Sequence, residues 1–307
     1  MLAVAPAAAQ TIRGPVLGYG WDETAARLRP ILGIPGSALV GEGPEVGVEL
    51  ATAEVSPTQD FALALEAGSG AILELRLPAG EARPAPGSPG AARIFFSPAG
   101  AAAGLYYEDK RAVEILKGLP EAPVAGDRWE FDGPVTAAAI SDQGQVLAAT
   151  VDGSLLAGGR RIGSLGRASA MVFLPRSGDA LVADQARSEI LLLRDVFGAG
   201  ERLVLAGERE GVERPMAVAG AGRRVLWVNA GSAIVNVLNL DGGPLERVPC
   251  TGVVAGLFPL RESGVFRLTA FSEEPLYLLE AAAGAPQILF VPAGRFGPRP
   301  PRQRARP

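Results

Sequence analysis

The chain has 307 residues, 48% of them apolar and 20% charged, with a formal net charge of −4. It holds one cysteine and no histidine, which excludes an intramolecular disulfide, a cysteine-built structural metal site and any nucleophile activated by an imidazole base. Arg295, Arg299, Arg302, Arg304 and Arg306 crowd residues 294–307, so the remainder is more acidic than the whole and offers no general surface for nucleic acid phosphates.

In chain order, Ala7-Ala8-Ala9 before Gln10 fits the small-residue pattern of a signal-peptidase site, preceded by a short apolar run without a basic start. Residues 1–9 are therefore expected to be the remnant of an export signal, which places the protein in the periplasm or outside the cell. An ordinary Ala-rich terminus is the other reading. No stretch approaches about 18 uncharged apolar residues, so no membrane-spanning helix is expected. Val16–Trp21 and Arg27–Leu32 read as strands around an Asp-Glu-Thr-Ala turn, followed by a Gly/Glu/Pro connector, Glu42–Glu49.

Six units follow that align by their first strand and the turn closing it. The markers are Thr52–Pro57, Ala92–Pro98, Thr136–Asp142, Ser169–Pro175, Pro215–Gly220 and Val254–Pro259, spaced by 33 to 45 residues. Most of these strands close in Ser-Pro, Ser-Asp, Leu-Pro or Phe-Pro; proline cannot donate to a ladder and so ends the strand as the chain turns. Second strands are expected at Phe61–Glu66, Gly104–Glu108, Val146–Val151, Ala180–Asp184, Val225–Asn229 and Val265–Ala270. Third strands follow each of them, and Ser169–Leu205 reads as a complete unit of four. Many of these strands are almost continuously apolar, as suits strands covered on both faces. A period of about 40 residues with four strands per unit is the mark of propeller blades. The expected fold is all-β: a β-propeller of seven blades of four antiparallel strands, the first built from the N-terminal strands, with six blades and an added hairpin as the alternative. One domain covers residues 10–293, and the Arg/Pro-rich stretch 294–307 is expected to be a disordered tail.

The runs VSPTQDFALAL, FFSPAGAAAGLYY and GAILELRLP resemble the repeats of bacterial NHL/YVTN/WD-like β-propellers over about residues 50–292. No repeat opens with Gly-His, and Trp21-Asp22 stands outside any repeat, so the chain departs from a standard WD40 protein. The resemblance implies architecture and, most often in such families, a binding scaffold; lactonase- and lyase-type enzymes occur among them.

Chemistry is sparse. The innermost strands carry a single carboxylate, Glu54, expected to be an exposed or paired strand residue. A calcium site needs six or more oxygen ligands and glycoside cleavage needs two facing carboxylates; neither set is visible there. GxxxxGK[ST] and GxSxG are absent and no cofactor is expected. The loops between second and third strands share one face and carry Asp109, Arg111, Asp184, Arg187 and Asn229, a candidate binding rim, although ordinary turn chemistry selects the same residue types. Tyr106, Tyr107, Trp129, Phe131 and Trp227 are expected in the core, and Cys250 as a small buried hydrophobe. The function that follows is a non-enzymatic, exported, monomeric scaffold binding a protein, peptide or glycan through one face. The alternative is a lactonase-like hydrolase or lyase using Asp, Glu or Asn and a divalent metal at the channel.

Overall fold

The structure is a computed structural model that describes residues 14–261, 263–282 and 284–293. The expected export remnant (residues 1–9) and Arg/Pro-rich tail (294–307) lie outside the described residues. Seven antiparallel sheets follow one another along the chain, and among the described residues the one helical element is a single 3-10 turn, Glu208–Glu210.

Blades 2 to 7 each have four strands in sequence order. Their inner strands are Leu50–Val55, Arg93–Phe96, Val135–Ile140, Ala168–Phe173, Pro215–Ala221 and Phe258–Pro259. Their second strands are Phe61–Glu66, Ala102–Tyr107, Val146–Thr150, Ala180–Asp184, Arg224–Asn229 and Val265–Arg267. The outer strands, such as Val124–Glu130 and Arg160–Ser164, are mostly exposed.

Why second strands read as unbroken apolar runs is visible in how they pack. Successive residues point to opposite faces of a sheet. Phe61, Leu63 and Leu65 enter the seam between blades 2 and 3, while Ala62 and Ala64 between them enter the seam between blades 1 and 2. The alternation repeats: Val146 and Ala148 face blade 3, Leu147 and Ala149 face blade 5. Seven buried clusters result, one for each seam, so the ring is closed. Burying one Leu or Phe fully is worth about 1.5–3 kcal/mol, and no blade alone has a partner for either face. Trp227, Tyr106, Tyr107 and Phe131 are buried and Trp129 packs partly buried against the cluster of Tyr106 and Phe131; Cys250 lies buried in the seam between blades 6 and 7, where burial pushes its thiol up.

The Ser-Pro and Ser-Asp turns have a defined job. Ser56, Ser97 and Ser141 are buried, and each donates its backbone N–H to the start of the second strand, to Phe61, Ala102 and Gln145 respectively. The Ser97 and Ser141 hydroxyl oxygens accept the N–H of Ala102 and Gln145, both at 3.1 Å.

Blade 1 is the incomplete one. Its strands are Val16–Asp22, Arg27–Ile34 and Ser37–Val40. The turn between the first two carries Ala26 at φ 47°, in the place held by Arg111 (φ 49°) and Ser188 (φ 52°) in the second-to-third turns of blades 3 and 5. Asp22 accepts the N–H of Ala25 as Asp184 accepts that of Arg187. Blade 1 therefore contributes second, third and outer strands, and its inner position is not filled by any described residue.

Gln59 closes the ring beside that gap. It occupies the turn position where blades 3 and 4 have Gly100 and Gly144, and it keeps their left-handed backbone at φ 61°. A side chain there costs about 1–2 kcal/mol. The side chain is used in full: Oε1 accepts Tyr19 N–H at 2.6 Å, Nε2 donates to the Pro259 carbonyl at 3.0 Å, and the Gln59 carbonyl accepts from Arg261 Nη2 at 2.9 Å. One residue of blade 2 thus ties blade 1 to blade 7.

Candidate functional site at the central channel

Inner strands converge on a channel that holds two cavities of about 600 and 340 Å³, both bordered by Thr52 and Glu54. The larger lies against blade 1, where an inner strand is missing, so Tyr19, Gly20 and Trp21 of a second strand form its wall directly. Phe258 and Phe271 of blade 7, with Phe96 of blade 3 and Phe173 of blade 5, add four aromatic rings to a wall otherwise made of small apolar and polar side chains.

Three charged side chains border the larger cavity: Glu23 and Glu54, and opposite in sign Arg267. Glu54 stands exposed to the channel on the inner strand of blade 2 and makes no hydrogen bond or ion pair with any described residue. Removal from bulk water pushes its carboxyl up to about 7, with the Arg267 cation pulling it back down. Arg267 is 6% exposed in the second strand of blade 7. Its guanidinium carbon lies 4.1 Å from the Phe258 ring centre and 5.0 Å from that of Phe271. One nitrogen, Nη1, donates to the Thr269 carbonyl at 2.5 Å, while Nε has no hydrogen-bond partner. Burial lowers its pKa to about 10, opposed by Glu54 and Glu23, so it stays a cation at neutral pH. Gly20 permits this arrangement, because a Cβ there would sit 2.7 Å from Phe271 and 3.1 Å from Arg267 Nε. A buried cation between two rings and an unpartnered carboxylate, too far apart to pair, suit a ligand that carries a negative group for one and a donor for the other.

The loop residues expected as a rim are placed differently from one another. Asp184 is fully buried and accepts the N–H groups of Gly166, Arg167 and Arg187, holding the chain that enters blade 5's inner strand. Asn229 does the same for blade 6, accepting Glu213 N–H at 3.1 Å and donating to the Gly211 carbonyl at 2.8 Å. Arg187 is exposed beside Asp184, at 3.9 Å from its carboxylate. Arg111 donates to the Asp132 carbonyl, and Asp109 is exposed. The structure brings Asp184 and Arg187 together and no others of the five, and none borders either channel cavity.

Sequence reasoning noticed Glu54 but passed over Arg267 and Gln59. Both had a signal: an arginine inside the apolar run GVFRLTAF, and glutamine in SPTQD where SPAGA and SDQGQ place glycine.

No family model matches the chain, and no curated protein does. Solved structures are similar throughout the ring. U3-55K is 12% identical with a TM-score of 0.59, over 84% of this chain and 86% of its own. A chain of the mitotic checkpoint complex is 11% identical with a TM-score of 0.58, over 96% and 89%. The β-propeller domain of Cps50 (Swd1) from Myceliophteria thermophila is 12% identical with a TM-score of 0.54, over 84% and 94%. At these identities the likeness bears on the fold alone, a β-propeller, which here has seven blades.

Proposed function

We propose that this protein is a non-catalytic binding module whose channel accepts an acidic peptide segment of a partner protein. The observation that carries the reading is Arg267: a cation held between Phe258 and Phe271, with Nε unpaired, on the wall of a cavity of about 600 Å³ that also contains an unpartnered Glu54. A carboxylate reaching Arg267 gains a charge-assisted bond in a weakly solvated site, and the aromatic walls cover the apolar part of the segment. A peptide N–H or amine then satisfies Glu54. Membership of one structurally similar chain in a multiprotein complex is consistent with such a role. The hydrolase or lyase alternative asks for a divalent ion held by several oxygens; here Arg267 would repel the ion, and among the described residues no group of three acidic, cysteine or histidine side chains is placed to hold one.

Selection of short random peptides on the purified protein, with counter-selection on Arg267→Leu, tests this. Enriched peptides are expected to share an acidic residue and to lose at least tenfold in affinity on Arg267→Leu. Enrichment of neutral or basic sequences, or binding indifferent to that substitution, sinks the reading.

A further inference from the structure

The larger cavity is only part of the channel. The smaller one, of about 340 Å³, takes the other end of the same inner strands. In blade 5 residues 169–171 border the smaller cavity and Val172, Phe173 and Pro175 the larger; in blade 3 residues 91–95 border the smaller and 96–98 the larger. Thr52 and Glu54 of blade 2 border both, so they stand where the two meet. The smaller cavity lies within the range of about 300–1,000 Å³ usual for ligand pockets. Its wall is mostly alanine, and among the described residues two charged side chains border it, Glu54 and Arg93. Arg93 is already committed to blade 4 and to its own blade: Nη2 donates to the Val135 carbonyl at 2.7 Å, Nη1 to that of Thr136 at 3.2 Å, and the guanidinium carbon lies 4.6 Å from the Tyr106 ring centre. What the side chains leave open is oxygen. Ser169 gives its hydroxyl proton to the Pro215 carbonyl at 2.5 Å and keeps lone pairs, Thr52 adds a second hydroxyl, and the Glu54 carboxylate has no partner. That carboxyl, raised to about 7 by the hydration it has lost, gains most from a cation that replaces the missing water.

We propose that the smaller cavity is a pocket for a lysine side chain of the partner segment whose carboxylate meets Arg267, with the lysine ammonium on Glu54. The pocket's role rests on the reading of the channel as the site of an acidic segment, and it makes that segment one of mixed charge. Lysine fits before arginine by donor count. An ammonium brings three donors to the three acceptors Glu54, Thr52 and Ser169, whereas a guanidinium brings five in a fixed plane and would leave donors unmet. The four-carbon stem of lysine covers Ala137, Ala138 and Ala170, which have no polar atoms in their side chains to lose water from. Glu23 is the rival acceptor, but it borders the larger cavity and not the smaller.

The test titrates capped peptides of one glutamate and one lysine, separated by zero to four glycines, into the full chain, beside counterparts with norleucine for lysine. At the separation that spans Arg267 and Glu54, the lysine peptide is expected to bind at least tenfold tighter than its norleucine counterpart. Glu54→Gln should cut that preference below threefold. So should Ala92→Phe and Ala138→Leu, which fill the smaller cavity and do not border the larger. Glu23→Gln should leave it unchanged. Should both filling variants fail to fold, Glu54→Gln decides by itself. Equal affinity of the two peptides at every separation overturns the lysine pocket; the acidic-segment reading survives that result if both peptides still lose tenfold on Arg267→Leu. A preference that outlasts Glu54→Gln or the filled cavity, or that vanishes with Glu23→Gln, also overturns the pocket and puts the ammonium elsewhere in the channel. Binding of neither peptide, or binding indifferent to Arg267→Leu, brings down the acidic-segment reading and the pocket with it.

Discussion

A carboxylate that titrates near neutrality in a channel makes a prediction about pH. Glu54 is held at about 7 against an ordinary 4.5, so between those values the folded protein binds more protons than the unfolded chain. Stability should fall as pH rises from about 4.5 to about 7 and then level off, and Glu54→Gln should remove that fall while raising the melting temperature at pH 8. Channel water screens the carboxylate, so the effect is smaller than full burial would give. A melting series across pH on both proteins checks it; identical slopes would show that Glu54 is solvated like any surface carboxylate. Asp184 and Asn229 teach the complementary lesson at this scale. Both look like rim residues in sequence, yet each spends its polar atoms on backbone groups that lead into the next blade. Turn residues are chosen first for the backbone they satisfy.

Among the elements, the third strand of blade 2, Ile72–Arg76, contains a charge in an otherwise apolar setting. Glu74 is fully buried, with Arg76 Nε at 3.0 Å and Arg83 Nη2 at 2.8 Å from its Oε1. Both arginines also donate to the Pro120 carbonyl of blade 3, so the cluster staples two outer edges together. Removing the arginines strands a buried carboxylate, whereas removing the carboxylate leaves two cations that can reach water. The double variant Arg76→Ala/Arg83→Ala should therefore lose about 3–5 kcal/mol, and adding Glu74→Leu should recover most of it. Urea denaturation of the three proteins measures this; strictly additive losses would rule out the cluster as one unit.

For the whole molecule, closure is the decisive property. Each seam is buried only because the next blade is present, and the last seam joins Leu17, Ile31 and Val40 of blade 1 to Leu260, Val265 and Leu276 of blade 7. A chain ending at residue 253 would expose two apolar faces instead of none. It should bind a hydrophobic dye and lose its cooperative melt; a sharp transition near that of the full chain would mean that the blades stand independently, as repeats in an open array do.

How much of this was legible in the sequence follows from the range of the interactions involved. Repeat spacing, Ser-Pro turns and doubly apolar strands are local or periodic, so the sequence by itself determined the propeller, its six aligned units and the buried places of Trp227, Tyr107 and Cys250, while the choice of seven blades over six came from the structure. Which strand blade 1 lacks, that Gln59 bridges to Pro259 some 200 positions away, and that Arg267 and Glu54 share one cavity depend on the two ends of the chain meeting. Only the tertiary structure decided those points, because ring closure brings together residues whose separation along the chain carries no periodic signal.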